Sequence, residues 1–252
     1  MIRLACALLL IALPALAGEE AVVGLSQNRV SITANFDGSE ILVFGAVKRE
    51  APPPDGAPLE VIITVEGPPS PAEVLKKNRR YGIWINTERV EIDAAPRFYA
   101  IATTRPLFDI LSHTEDLRHR ISIPRAIRSV GAPPEVSDAA RFTDSLIRLR
   151  QDSGHYRLEA GQVFLSQDTL FQTSFVLPSN LTEGSYKVRV FLTRNKVVLD
   201  EHGTRLDVRK VGLERFLYLL AHRQPWAYGI LAIVIAVVAG WSASAIFRFI
   251  RS

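Results

Sequence analysis

The stretch LTEGSYKVRVFL at residues 181–192 is the clearest fold signal in this sequence. A leucine precedes Gly-Ser-Tyr, and from Tyr186 to Leu192 every second residue is apolar or aromatic. This pattern is typical of the tyrosine corner of immunoglobulin-like sandwiches, in which a tyrosine opens an alternating strand. The residues Arg194-Asn195-Lys196 then predict a hairpin turn into a partner strand at residues 197–199.

The same two-residue period recurs through much of the chain. It predicts strands at residues 30–36, 59–65 and 170–177, and the apolar run at residues 40–47 predicts a strand covered on both faces. We therefore expect a mainly β fold: an immunoglobulin-like β-sandwich with short helical insertions, plus one C-terminal transmembrane helix.

Three segments point to the helical insertions. Ser70-Pro71-Ala72-Glu73 has the composition of a capping box and predicts a helix to about Asn78. A second helix is expected from Ser137, as its cap, to about Gln151. Residues 106–130 are ambiguous: residues 106–111 and 114–120 could be helical turns, and residues 121–123 a strand.

Both ends of the chain indicate a membrane protein. Residues 1–17 have the basic start, apolar run and small-residue cleavage site of a signal peptide, with an uncleaved anchor as the alternative. No charge occurs between Arg223 and Arg248, and residues 226–247 would span about 33 Å as a helix, enough to cross a bilayer. We predict a periplasmic domain at residues 18–211, a juxtamembrane helix at 212–225, a transmembrane helix at 226–247 and a cytoplasmic tail at 248–252. A continuous helical stalk is the alternative for the juxtamembrane segment.

Composition excludes several classes of function. The chain of 252 residues carries 30 Lys and Arg against 26 Asp and Glu, too small an excess to favour nucleic acid. Its single cysteine, Cys6, lies in the signal, so the mature chain has no thiol for a disulfide or a nucleophile. The sequence contains no catalytic motif that we could identify. We expect no catalytic residue, no metal, no cofactor and no enzymatic activity.

Two interior segments could still carry chemistry. Arg79, Arg80 and Trp84 would form a binding site for a small anion or a glycan, unless Trp84 fills the core. His113 and His119 bracket two carboxylates and could hold a metal ion, although Arg118 and Arg120 oppose a cation, so a solvated polar segment is the expected interpretation.

Small side chains recur every four residues within the predicted span, at Ala232, Ala236, Gly240 and Ser244. Such a stripe lets a second helix approach closely, so it predicts a homodimer or a membrane-protein partner in the lipid bilayer. An accidental stripe in an alanine-rich helix is the alternative.

The whole chain resembles the transmembrane protein family of alphaproteobacteria called Alph_Pro_TM. The resemblance is carried by the signal peptide, by FDGSE at residues 36–40, YGIWIN at 81–86, GSY at 184–186 and WAYG at 226–229. It implies a single-pass inner-membrane protein with a periplasmic domain, associated with sulfite-exporter-type permeases. It supplies no catalytic residues.

Overall fold

The computed structural model describes residues 18–33, 37–50, 56–128, 139–211 and 213–250. The predicted signal peptide, the end of the strand predicted at 30–36 and the predicted cap Ser137 lie outside the described residues.

Within the described residues, twelve strands form three sheets. Their bounds are β1 (Glu20–Leu25), β2 (Arg29–Ile32), β3 (Ser39–Lys48), β4 (Glu60–Glu66), β5 (Pro69–Arg80), β6 (Ile83–Pro96), β7 (Tyr99–Thr103), β8 (Tyr156–Ala160), β9 (Phe164–Ser166), β10 (Leu170–Leu177), β11 (Gly184–Arg194) and β12 (Val197–Lys210). A four-stranded sheet has the order β1-β3-β10-β9, a six-stranded sheet has the order β2-β12-β11-β4-β7-β8, and β5 and β6 pair with each other. The pairs β2–β12 and β7–β8 are parallel, and all other pairs are antiparallel.

The part of the chain that the structure describes also contains six helices: α1 (Leu107–Ile110), α2 (His113–His119), α3 (Ile123–Ala126), α4 (Ala139–Asp152), α5 (Leu213–Arg223) and α6 (Pro225–Ile250). The chain is thus mainly β with one apolar C-terminal helix, as expected. In residues 106–130 the helical turns are confirmed as α1 and α2, but the strand at residues 121–123 is wrong, because Ser122 precedes α3 as its N-cap.

The main core lies between the two large sheets. It takes alternate residues from both, such as Val43 and Phe171 from the four-stranded sheet and Val61 and Val190 from the six-stranded one. Tyr186 is fully buried here, and its hydroxyl donates a hydrogen bond of 2.9 Å to the carbonyl of Thr182. That bond has the geometry of a tyrosine corner, while the immunoglobulin-like class itself stays a prediction.

A second core covers the other face of the six-stranded sheet. Ile62 and Phe191 of that sheet pack there with apolar residues of α1, α3 and α4 and with Val74 and Val90 of β5 and β6. The six-stranded sheet is therefore buried on both faces at its centre, and β4 is buried along almost its whole length.

The helix predicted from Ser70 to Asn78 is wrong, because these residues belong to β5. They pair with β6, and the register shifts between Ser70 and Ala72. Pro71 thus sits at an irregularity of the ladder, where its missing N–H breaks no regular pairing. The capping-box pattern reflects only a local preference for helix. Pairing of these residues with β6, which follows later in the sequence, is the stronger effect.

The prediction that residues 40–47 are covered on both faces is also wrong. Val43 is fully buried, but Leu42 and Phe44 on the opposite face of β3 are 39% and 44% exposed. No helix layer packs over this face in the described parts of the chain, in contrast to the six-stranded sheet.

The C-terminal helices follow the sandwich at once. Val211 still donates a hydrogen bond to the carbonyl of Ile32 over 2.8 Å, and α5 begins two residues later. Gln224 alone separates α5 from α6. Within α6 the segment Pro225–Ser244 is long and apolar enough to cross a bilayer, and none of it is buried against the protein.

Candidate functional site

The strands β5 and β6 form a hairpin arm that extends beyond the rest of the fold. At its root, Val74 and Val90 are buried in the second core. From Lys77 to Asn86 both strands are exposed along their length. Tyr81 and Gly82 make the turn with positive φ values of 51° and 84°, as a two-residue type I′ hairpin requires.

The structure places the predicted ligand residues at the tip of this arm. Arg79 stands directly opposite Trp84, and Arg80 stands opposite Ile83. Trp84 is 66% exposed, so it does not fill the core. The Arg79 side chain donates a long hydrogen bond of 3.4 Å to the carbonyl of Gly82. The structure thus brings Arg79 and Trp84 together on one face of the hairpin, whereas Arg80 lies on the other face.

The outer face of the four-stranded sheet is the second exposed feature. We use this term for the exposed side chains of Val22, Leu42, Phe44, Phe164, Leu170 and Val176. The register aligns them in rows: Ala46 lies between Val22 and Leu170, and Phe44 lies between Gly24 and Gln172. Among the strand residues described for this face, charged side chains stand at the ends of β1 and β3, at Glu20, Glu40 and Lys48. The same face also carries the polar residues Ser166, Gln172 and Ser174, so it is largely but not wholly apolar. A largely apolar exposed face is typical of an interaction surface.

A buried polar cluster joins α2 to the six-stranded sheet. Arg189 of β11 is 6% exposed and donates hydrogen bonds to the carbonyls of His119 and Arg120, at 2.7 and 3.1 Å. Asp116 accepts hydrogen bonds from the backbone and the hydroxyl of Ser122. Cations at the last carbonyls of a helix are favourable. The cluster therefore fixes the end of α2, and sequence reasoning missed it because it joins residues 70 positions apart.

His119 belongs to this cluster and does not pair with His113. Its Nδ1 lies 2.9 Å from Glu201 and its Nε2 lies 3.5 Å from Glu115. His113 instead packs against the ring of Phe108, with 5.0 Å between ring centroids. The described residues contain no group of three His, Cys, Asp or Glu side chains that could hold a metal ion.

The clear pKa shifts fall on structural groups. Burial raises the pKa of Tyr186 to about 12 and that of Tyr156 to about 12. Burial also raises the pKa of Tyr99, whose hydroxyl donates to the carbonyl of Ile121 over 2.8 Å. Burial, followed by the charge of Arg150, lowers the pKa of His155. These groups serve packing and do not converge on a cavity.

Two of the clefts formed by the described residues lie away from Arg79 and Trp84. One of about 280 Å³ is lined by residues of the arm's root, including Glu73 and Arg89, which form an ion pair. The other, of about 180 Å³, lies beside Glu60, Arg105 and Arg194. Glu60 binds Arg105 over 2.7 Å and Arg194 binds Glu19 over 2.9 Å, so the charges there are already compensated.

The small-residue stripe lies on α6, whose first 20 residues are unburied. A side chain at Gly240 would meet nothing within 4 Å in this chain. The stripe is therefore available to another molecule, although the structure does not show which.

The comparisons with known proteins identify the family. The model of the family described as "Putative transmembrane protein (Alph_Pro_TM)" matches residues 20–249. The chain belongs to the Alph_Pro_TM family. No curated protein matches this chain. The match agrees with the resemblance seen in the sequence, and with α6 it makes this a membrane protein.

One solved structure similar to this Alph_Pro_TM member is the sporulation control protein Spo0M from Bacillus subtilis. The two share 10% sequence identity, with a TM-score of 0.29 over 82% of this chain and 55% of Spo0M. The chain thus spans about half the length of Spo0M, and a likeness this low carries no argument about fold or function.

Sequence reasoning singled out Arg79, Arg80, Trp84 and the stripe but missed the outer face. The signal was present, because Leu42 and Phe44 alternate with Ile41 and Val43. A run that is apolar at every position does not reveal which of its two faces the chain itself will cover.

Proposed function

We propose that this protein is a non-enzymatic accessory subunit of the bacterial inner membrane. Its α6 helix anchors it, its sandwich lies in the periplasm with the C-terminal tail in the cytoplasm, and the outer face binds a membrane-protein partner. The observation that carries this proposal is the contrast between the two large sheets. The outside of the six-stranded sheet is covered by helices, whereas the outer face is largely apolar and uncovered.

An uncovered face of this composition is costly unless something binds it. Each apolar side chain removed from water contributes about 1.5–3 kcal/mol when fully buried. The chain itself covers part of the Phe44 ring, because that ring lies over Gly24. A Cβ added to Gly24 would come within 2.8 Å of the ring. Even so Phe44 remains 44% exposed. A flat face without central charges suits a partner that is itself apolar there.

The partner we propose is a polytopic protein in the same membrane, and a sulfite-exporter-type permease is the candidate. The stripe of Ala232, Ala236, Gly240 and Ser244 supports this, since it would let α6 pack closely on a partner helix. The outer face and the stripe would then contact the same partner outside and inside the bilayer. A homodimer through α6 is the competing outcome.

Co-expression with a sulfite-exporter-type permease, followed by pull-down in mild detergent, tests the outer face. Leu170→Glu should reduce recovery of the permease at least several-fold, because the carboxylate would be buried unpaired. The matched control is Leu117→Glu, since Leu170 and Leu117 are each 58% exposed but Leu117 lies on α2. Equal recovery with both variants would contradict the proposal.

The stripe has its own test in the same assay. Gly240→Leu should weaken recovery because the leucine would hold the partner helix away. Ser242→Leu serves as control, since it lies about 200° further around the helix. If Gly240→Leu leaves permease recovery intact but abolishes a crosslinked pair of this chain, the stripe serves a homodimer.

A periplasmic module for small anions or glycans is the second candidate. The observation in its favour is the pair of Arg79 and Trp84 on opposite strands, with Arg80 beside them. A melting-temperature screen of the full-length protein against oxyanions and sugars would test it. A shift that disappears in Arg79→Ser would support this candidate, and the absence of any shift would count against it.

A further inference from the structure

Large side chains at the tip of the hairpin arm are exposed to solvent. Tyr81 is fully exposed and Ile83 is 67% exposed, next to Trp84. From Leu75 to Tyr81 the free part of the arm extends about 20 Å at the rise of a β-strand. The large apolar side chains at its end are not buried against the body of the fold.

The charges at the tip have one sign. Residues 77–87, which we call the arm tip, contain Lys77, Arg79 and Arg80 and no Asp or Glu. The cations nearer the root are paired: Lys76 binds Glu88 over 2.7 Å, and Arg89 binds Glu73. Only the end of the arm therefore presents a net positive charge.

Apolar and cationic groups occupy both faces of the arm tip. The register puts Arg79 and Trp84 on one face and Arg80 with Ile83 on the other. A partner with a flat surface would cover one face and leave the other in water. A medium that surrounds the tip on all sides satisfies both faces. The headgroup region of a bilayer is such a medium, because it accepts tryptophan and tyrosine rings and binds lysine and arginine.

The arm is joined to the six-stranded sheet at the end from which the membrane anchor also leaves. Glu66 at the end of β4 is paired with Lys187, near the start of β11. Gly184 at the start of β11 is paired with Val208, near the end of β12. The arm follows β4 directly, and α5 and α6 follow β12, so both connections start at the same end of the six-stranded sheet. At 11 residues, α5 is about 16 Å long, which is shorter than the free part of the arm.

We propose that the arm tip inserts end-on into the anionic headgroup layer of the membrane in which α6 is anchored. Trp84, Tyr81 and Ile83 would enter the interface, and Lys77, Arg79 and Arg80 would bind phospholipid phosphates. This second contact fixes the orientation of the sandwich on the membrane. It does not depend on the outer face, so either proposal can fail without the other.

Trp84 itself can report the insertion. Substituting Phe for Trp226 and Trp241 leaves Trp84 as the only tryptophan of the full chain. The protein is reconstituted into vesicles of phosphatidylglycerol or of phosphatidylcholine, each with and without brominated acyl chains. In phosphatidylglycerol we expect a blue-shifted emission of Trp84 that is quenched by the brominated lipid and is reversed by 1 M salt, an ionic strength at which the Debye length is about 3 Å.

The double variant Arg79→Ser/Arg80→Ser should lose this quenching. At the usual attraction of a surface cation to anionic lipid, removal of two cations lowers the insertion equilibrium about 30-fold. The matched control Arg125→Ser/Arg148→Ser removes two exposed cations from the helices and should keep the wild-type quenching.

The other outcomes overturn the proposal. Unquenched, red-shifted Trp84 emission in phosphatidylglycerol would show that the arm tip stays in water. A blue shift produced by inorganic phosphate in phosphatidylcholine vesicles would assign the tip to a small anion instead. A blue shift without quenching would show that protein, and not lipid, covers Trp84.

Discussion

The guanidinium of Arg189 reaches from β11 to the carbonyl of His119, the last residue of α2, over 2.7 Å. A second nitrogen reaches the carbonyl of Arg120 and the hydroxyl of Tyr99. This fork ties the helix layer to the six-stranded sheet through groups that water cannot easily replace, since Tyr99 is fully buried.

Arg189→Met should therefore destabilise the protein by about 3 kcal/mol, because hydrogen bonds to a charged donor are lost and carbonyls stay buried. Arg189→Lys should be nearly as unstable as Arg189→Met, since a single ammonium cannot make the forked hydrogen bonds of the guanidinium. Urea unfolding of the full-length protein in detergent measures both. The control is Arg205→Met at an exposed position of β12, and equal stability of Arg189→Met and the control would contradict the prediction.

Alkaline pH should weaken the fold through its buried tyrosines. The pKa values of Tyr156 and Tyr186 are raised to about 12 from 10. Above pH 10 the unfolded chain releases protons that the folded chain keeps, so the free energy of unfolding falls as the pH rises to 12. Each tyrosine contributes about 1.4 kcal/mol per pH unit to this slope. Tyr186→Phe should make the slope shallower by that amount, and parallel slopes for variant and wild type would refute the linkage.

Gly45→Ala should detach the edge of the four-stranded sheet. A Cβ at Gly45 would overlap the carbonyl oxygen of Val22 and the ring of Phe171, and the backbone atom cannot move without breaking the pairing of β1 with β3. We expect the free energy of unfolding to fall by about 2–4 kcal/mol, which is at or above the usual cost of overpacking. Gly203→Ala is the matched control, because nothing lies within 4 Å of its added methyl group. Thermal melting compares the two, and equal melting temperatures would sink the prediction.

The proposed orientation makes a labelling prediction. In a Cys6→Ser background, Lys187→Cys on the sandwich should react with a membrane-impermeant maleimide once the outer membrane is permeabilised. Ser252→Cys at the tail should react only after the inner membrane is opened. The converse pattern would place the sandwich in the cytoplasm and would overturn the periplasmic assignment.

The sequence predicted those features whose causes are local. The strand from Tyr186 repeats a two-residue period, and the C-terminal helix is a long uncharged apolar run. Both could therefore be predicted from consecutive residues alone. The helix predicted at residues 70–78 failed because Ser70 and Glu73 satisfy a capping pattern, whereas the pairing of Glu73 with Arg89 depends on residues that follow later.

For the candidate surfaces, too, the sequence predicted the local features and missed those that depend on distant residues. The spacing of Arg79, Arg80 and Trp84 showed that these residues would be close together, but it did not show that they stand at the end of an exposed arm. Whether Leu42 and Phe44 are covered depends on where the helices pack. That is decided by contacts such as those of Phe142 and Leu146 with the second core, and no pattern within residues 40–47 contains this information.

The parallel pairing of β2 with β12 has a mechanical consequence. Tension exerted by the bilayer on α6 pulls β12 along its own axis. Its hydrogen bonds to β2 on one side and β11 on the other run across that axis, so the load is shared by the whole ladder at once and cannot open it bond by bond. The anchor is thus joined to the sandwich through a strand that is paired on both sides near its C-terminal end, with β11 up to Val208 and with β2 from Asp207 to Lys210.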